Sequence, residues 1–292
     1  MTQADISAVI PSYQRGQAAL ESVRALLRLT VRPAEILLVD QTAEHPQAIR
    51  EQLDALHRSG DLRWIRLSEP SIPAAMNTGL RQARKNMVLF LDDDIIPGAN
   101  LVEAHLEALR HSGLVAGQVL QPSQLSHPLA RGESFRFNST DVASIEEFMG
   151  GNFSVDRSRA IALGGFDENF VGAAYRFEAE FAHRYVQAYG PIRYEPTALI
   201  HHLALLSGGT RAHGHHLRTI RPQQSVGAYY FLMKTRRPGW WRQLLWRPIR
   251  AVRTRHHLRR PWWIPLTIVA ELRGFLLARR LLRQGEQLIK HP

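Results

Sequence analysis

Along the first ninety residues, apolar positions switch repeatedly between the period of a buried strand and the period of an amphipathic helix. Short apolar runs at 6–11, 35–40, 62–67 and 87–91 read as strands. Between them, 17–29, 46–59 and 72–83 read as helices, the first carrying Leu20, Val23, Leu26 and Leu27 on one face. This alternation predicts βαβ units around a central, mostly parallel sheet flanked by helices, an α/β fold. The stretch from Pro122 to Asp141 lacks a clear period and reads as a loop over the site or an excursion with short strands. No internal repeat or low-complexity segment interrupts the pattern.

Composition sharpens this picture in two respects. With 292 residues, 45% of them hydrophobic, the chain can bury the core of one large domain plus a tail. With no cysteine, a disulfide, a thiolate metal site and a cysteine nucleophile are all excluded. The formal charge of +11 is concentrated late in the chain. From Arg236 to Lys290 only Glu271 and Glu286 oppose a long series of arginines, and Trp240, Trp241, Trp246, Trp262 and Trp263 lie there too. The expected organisation is therefore a catalytic domain over 1–225 and a basic, Trp-rich helical tail over 226–292.

Residues 264–282 are apolar but broken by Glu271, Arg273, Arg279 and Arg280, which argues against a bilayer span. Arginine-rich amphipathic helices with tryptophans at their ends suit an anionic membrane surface. Nucleic acid is the rival polyanion, but no helix-turn-helix, RNA-recognition or zinc motif accompanies the charge, so no nucleic-acid partner is expected. A helical cap packed on the core is the plainer alternative. The first residues, Met-Thr-Gln-Ala-Asp, lack the basic and apolar regions of a secretory signal. The expectation is a cytoplasmic protein, peripheral on the cytoplasmic face of the membrane.

The chemistry gathers at strand ends. The fourth apolar run leads into Asp92, Asp93 and Asp94, three carboxylates that repel one another unless a cation compensates them. Hard oxygen ligands suit Mn²⁺ or Mg²⁺, with positions left for diphosphate oxygens. Alternating direction lets Asp92 and Asp94 converge while Asp93 points elsewhere. A solvated acidic turn or helix cap is the bland alternative. The first strand ends in Pro11, Ser12, Tyr13 and Arg15, groups suited to a base and a phosphate, and the second ends in Asp40. In a parallel sheet all these ends share one crevice.

The order Val-Ile-Pro-Ser-Tyr-Gln-Arg, Leu-Leu-Val-Asp, Ala75-Met76-Asn77-Thr78-Gly79-Leu80 and Phe-Leu-Asp-Asp-Asp resembles the family-2 glycosyltransferases with the GT-A fold. The likeness continues through Gly150-Gly151-Asn152, Gly164-Gly165-Phe166-Asp167-Glu168 and the segment from Phe177 to Arg184, covering roughly residues 6–211. It implies a GT-A-type nucleotide-binding fold holding a nucleoside diphosphate sugar, with a UDP-sugar the expected donor. It places Asp40 on the nucleobase, Ser12 and Arg15 near ribose and phosphates, and Asp92 and Asp94 at sugar and metal. Asn77 and Asp93 join the donor-binding set, and Arg211, after a Gly-Gly pair, suits a lid over the phosphates. The late strand ends in His201 and His202, one of which coordinates the metal or touches the diphosphate by this likeness, and His201 is the choice.

Two positions depart from the family pattern. Met76 stands where an arginine is usual, and Phe177-Glu178 stands where Glu-Asp is usual. Glu178 is thus the candidate general base, with Glu180 as competitor. The implied reaction is a metal-dependent, inverting transfer to a hydroxyl of a glycan or lipid-linked acceptor. A catalytically weak nucleotide-sugar binding protein is the alternative reading. A nucleotidyltransferase is disfavoured because no glycine-rich phosphate loop follows strand one, and an aspartyl phosphatase because its Asp pair would follow the first strand.

Overall fold

A computed structural model describes residues 2–124, 136–213 and 217–290. The chain runs β1 (Thr2–Ser12), α1 (Gly16–Leu27), β2 (Val31–Asp40), α2 (Gln47–Ser59), β3 (Arg63–Arg66), α3 (Ile72–Gln82), β4 (Met87–Leu91) and β5 (Ile95–Pro97). It continues through α4 (Leu101–Leu109), β6 (Leu114–Leu120), β7 (Ala143–Ile145), β8 (Asn152–Asp156), α5 (Arg157–Ala162), α6 (Phe177–Tyr189) and β9 (Ile192–His202). Four helices follow: α7 (Val226–Thr235), α8 (Trp240–Val252), α9 (Arg255–Arg259) and α10 (Trp263–Gln284).

The strands form one sheet in the order β3-β2-β1-β4-β8-β6-β9-β5, with β7 also on β9. β1, β2, β3 and β4 pair in parallel, as the βαβ pattern predicts. In the remainder β6 and β9 also pair in parallel, but β8 runs antiparallel to β4 and β6, and β5 and β7 run antiparallel to β9. β5 and β7 are three residues each, too short to leave a period in the sequence. Of the unassigned stretch 122–141, a single 3-10 turn at Pro122–Gln124 is described, and 125–135 lie outside the described residues.

Side chains alternate across the sheet into two cores. Ile6, Ala8 and Ile10 of β1 join Leu20, Leu26, Leu38, Leu89 and Val102 on one face. Val9 faces the other way, with Leu37, Phe90, Phe153, Phe166 and Phe181. On that side α3 is admitted close to β1 because Gly79 has no Cβ; one would strike Val9. Ser71 caps α3 by accepting from the Ala74 N–H at 3.4 Å.

The basic tail packs on this second core. Val226, Tyr229, Tyr230 and Phe231 of α7 are buried in the same cluster as Phe166 and Phe181. The segment after α10 lies along residues 164–169, where the Glu168 N–H donates to Gln287 O at 3.0 Å and the Ile289 N–H to Gly164 O at 2.7 Å. The change of composition near residue 225 therefore coincides with no gap in the packing.

Candidate active site

The parallel ladder brings the carboxyl ends of β1, β2 and β4 to one edge. There a cleft of about 350 Å³ is lined by Pro11, Ser12, Tyr13, Arg15, Asp92, Asp93, Glu178 and Arg211, all expected site residues. Its floor is set by the aspartates after β4. Asp93 accepts from Ser12 Oγ at 2.7 Å and from Arg15 Nη1 at 2.9 Å. Burial nevertheless pushes the Asp93 carboxyl up to about 6. Asp92 and Asp94 turn toward each other, as alternation requires, and with His202 they place ligand atoms within 4.8 Å of one another.

This is a correction for His201. Consecutive strand residues point to opposite faces, so only one of the pair can reach the aspartates. β5, formed immediately after Asp94, pairs Ile95 with His202 and Ile96 with His201. His202 Nε2 lies 3.1 Å from Asp94 and 3.4 Å from Asp92. Asp94 first, and Asp92 after it, raise the His202 imidazole above its ordinary value against the opposing effect of burial.

The residues present fit a divalent cation. Asp94 is fully buried, and its Oδ1, although 3.2 Å from Arg15 and 3.1 Å from His202, has no formed hydrogen bond. Two carboxylates and an imidazole are a hard, oxygen-rich donor set. The Asp92 side chain, 48% exposed, opens into the cleft. Close behind it sits Gly151, where a Cβ would collide with the Asp92 carboxylate. Asn152 fixes that turn, donating to Gln118 O at 3.0 Å and Ala198 O at 2.8 Å and bonding His105 at 2.9 Å. His105 is buried, and burial lowers it to about 4, so it stays neutral and serves the scaffold.

Arg15 lines the cleft and also braces the loops around it. Its Nε donates to Ser207 O at 2.9 Å and Nη2 to Leu205 O at 3.4 Å, tying the segment after β9 to the loop after β1. The Gly209 N–H donates to Tyr13 O at 2.8 Å on the same seam. Arg211 follows, lines the cleft and donates to Leu205 O.

Two expected donor contacts are consumed inside the protein. Asp40, 1% exposed, accepts from Trp64 Nε1 at 2.9 Å and the Thr42 N–H at 2.9 Å and pairs with His45 at 2.5 Å. It is absent from the cleft wall; the next residue, Gln41, lines the wall and accepts from the Ser71 N–H. Asn77 is fully buried and clasps the later glycine turn, donating to Phe166 O at 2.8 Å and accepting from the Phe166 N–H at 2.8 Å. Met76, which lines the cleft in place of the usual arginine, leaves no cation there.

The two candidate bases separate cleanly. Glu180 is 1% exposed and bound by Arg184 at 2.7 Å and Lys234 at 2.9 Å. Glu178, half-buried in the first turn of α6, lines the cleft, and burial pushes its carboxyl up to about 7 despite the pull of its own backbone N–H and of Arg176. The entry to α6 is strained: Ala174 has φ 50 and Arg176 φ 75. Glu147 holds that conformation, taking both Arg176 Nη groups at 3.1 and 3.2 Å, while the guanidinium lies 4.5 Å from the Phe231 ring of α7. Gln41, Pro70 to Ile72 and Met149 also line the cleft although no motif marked them, and His202 takes the place given to its neighbour His201. For His202 the signal was its alternation with Ile200, which is buried.

Three comparisons bear on this arrangement. A curated relative, the pre-mycofactocin glycosyltransferase of Mycobacterium tuberculosis, is 27% identical over 211 residues, 68% of this chain but only 42% of the relative's length. The mannosyltransferase PcManGT from Pyrobaculum calidifontis, solved with GDP-Man and Mn²⁺, superposes with a TM-score of 0.56 at 20% identity, covering 98% of this chain and 80% of its own. GalNAc-T7, solved with UDP, GalNAc and Mn²⁺, gives 0.55 at 15% identity over 80% of this chain and 51% of its own. The fold is thus that of the GT-A glycosyltransferases. With the family description "Glycosyl transferase family 2" matching residues 7–180, more than half of the chain and every motif around the cleft except the His202 strand end and the segment to Arg211, the chain belongs to glycosyltransferase family 2.

Proposed function

We propose that the protein transfers a sugar from a nucleoside diphosphate sugar to an acceptor hydroxyl, with a divalent cation, Mn²⁺ or Mg²⁺, at Asp92, Asp94 and His202. The observation that carries this is the convergence of those three side chains, of which Asp92 and His202 line a cleft that Glu178 also lines. Two proteins of the same fold bind Mn²⁺ together with GDP-Man or UDP. When bound, the cation would supply charge neutralisation to the leaving diphosphate. Glu178 takes the acceptor proton as the acceptor oxygen bonds to the anomeric carbon. The bond from that carbon to the diphosphate breaks, and its electron pair leaves with the phosphate. One displacement of this kind inverts the anomeric centre and needs no covalent nucleophile.

The tail supplies a second part of the reading, an anionic membrane surface as docking partner. Trp241, Leu245 and Ile249 share one exposed face of α8, and Leu272 and Leu276 one of α10, beside the exposed Arg273, Arg279 and Arg280. Among the described residues no helix is long and apolar enough to cross a membrane.

Calorimetric titration of UDP and GDP with and without MnCl₂ tests the donor assignment. Binding should require Mn²⁺, and Asp94→Ala should remove that requirement together with at least tenfold of the affinity, about 1.4 kcal/mol. Nucleotide binding that ignores both the metal and the substitution would overturn it.

A further inference from the structure

A cavity larger than the donor cleft lies beside it. Its volume is about 870 Å³, ample for a ligand, and its walls come from the segment before α6, from residues 217–225, and from α7, α8 and α10. It shares Phe177, Glu178 and Thr210 with the donor cleft. A carboxylate common to two cavities stands where donor and acceptor have to meet. Much of this wall lies beyond residue 180, where the family match ends.

The charge on the wall is selective. Arg176 is matched by Glu147, and Arg247 by Glu271 at 3.0 Å. Arg221 and Arg250 also line the cavity, are exposed, and have no carboxylate partner among the described residues; Arg250 donates only to Gln243 O at 3.3 Å. The same wall includes the apolar Ala228, Phe231 and Leu232. Two uncompensated guanidiniums in one cavity with apolar side chains fit a molecule with an anionic group and an apolar or ring-shaped body.

We infer that this cavity is the acceptor subsite and that the acceptor carries a phosphate group held by Arg221 and Arg250, its hydroxyl directed to Glu178. The inference rests on the proposed glycosyl transfer and deepens it by naming the acceptor's chemistry. The probe is phenyl phosphate, titrated into the full-length protein with and without UDP and Mn²⁺, with phenyl β-glucoside as the neutral counterpart. Phenyl phosphate should bind, UDP and Mn²⁺ should not displace it, and Arg221→Ala with Arg250→Ala should weaken it about tenfold per arginine. The paired lysine substitutions should restore most of the affinity, and neither pair should change UDP binding or binding of the glucoside. Where the alanine pair unfolds, Arg250→Gln alone is judged on the same readout.

Displacement of phenyl phosphate by UDP and Mn²⁺, indifference to the arginines, or failure of the wild type to bind it would each overturn the inference. If instead UDP and Mn²⁺ fail to bind the wild type, the donor reading falls. The arginine dependence of phenyl phosphate then still decides whether the cavity takes a phosphate.

Discussion

Glu178 carries the sharpest consequence of local environment. A general base acts only when deprotonated, and burial holds this carboxyl at about 7. Transfer rates should fall as pH drops through 7, following one proton, and level off above it. Glu178→Gln should lower kcat by about 10²–10⁴ and leave UDP affinity unchanged; a full-rate Gln variant would remove Glu178 from the reaction. Asn77 makes the opposite case. Because its amide is spent on both backbone groups of Phe166, Asn77→Ala should cost about 1–3 kcal/mol of stability per unsatisfied group while donor KM in the folded fraction stays constant. The gathering of the aspartates was legible in the sequence because adjacent carboxylates at the end of a buried strand repel one another and require a cation or hydrogen-bond donors beside them, whereas the bond from Ser12 to Asp93 was not. Asp40, Asn77 and His201 were misplaced because identity at a motif position does not say which way a side chain turns. Trp64 and Phe166, which claim Asp40 and Asn77, come from distant parts of the chain.

Among elements, α6 depends on α7. Lys234 reaches Asp167 at 2.6 Å, Glu180 at 2.9 Å and Glu286 at 3.2 Å, and the first two carboxylates are essentially unexposed. Burial alone would raise Asp167, yet Lys234 and Tyr230 hold it below its ordinary value. Lys234→Met strands the buried Asp167 charge and leaves Glu180 to Arg184 alone, and should cost about 3–5 kcal/mol, read as a loss in Tm that steepens as pH rises above the ordinary carboxylate range. A stability unchanged from wild type would mean that water or a rearranged side chain covers Asp167. The early elements were legible because each repeats one period for several turns or residues. β5 and β7 were not, because three-residue strands are created by their partner β9.

For the whole molecule, the exposed apolar residues and arginines of α8 and α10 give the tail a face of its own, while its other side closes the core. The full-length protein should sediment with phosphatidylserine vesicles at low salt, release at high salt, and ignore pure phosphatidylcholine. Leu272→Asp with Leu276→Asp should abolish sedimentation and leave UDP binding intact, since both side chains are exposed; unchanged sedimentation would place the membrane contact elsewhere. The concentration of charge in the tail was visible in the sequence, but the sharing of one core by α7 and α6 was not, since packing partners leave no mark on composition. The clasp of residues 285–290 over 164–169 also has a temporal meaning. During synthesis, the turn that Asn77 grips and the helix that bears Glu178 leave the ribosome about a hundred residues before their covering segment. Asp167 and Glu180 emerge without Lys234, so the nascent catalytic half waits, incompletely neutralised, for the tail to arrive.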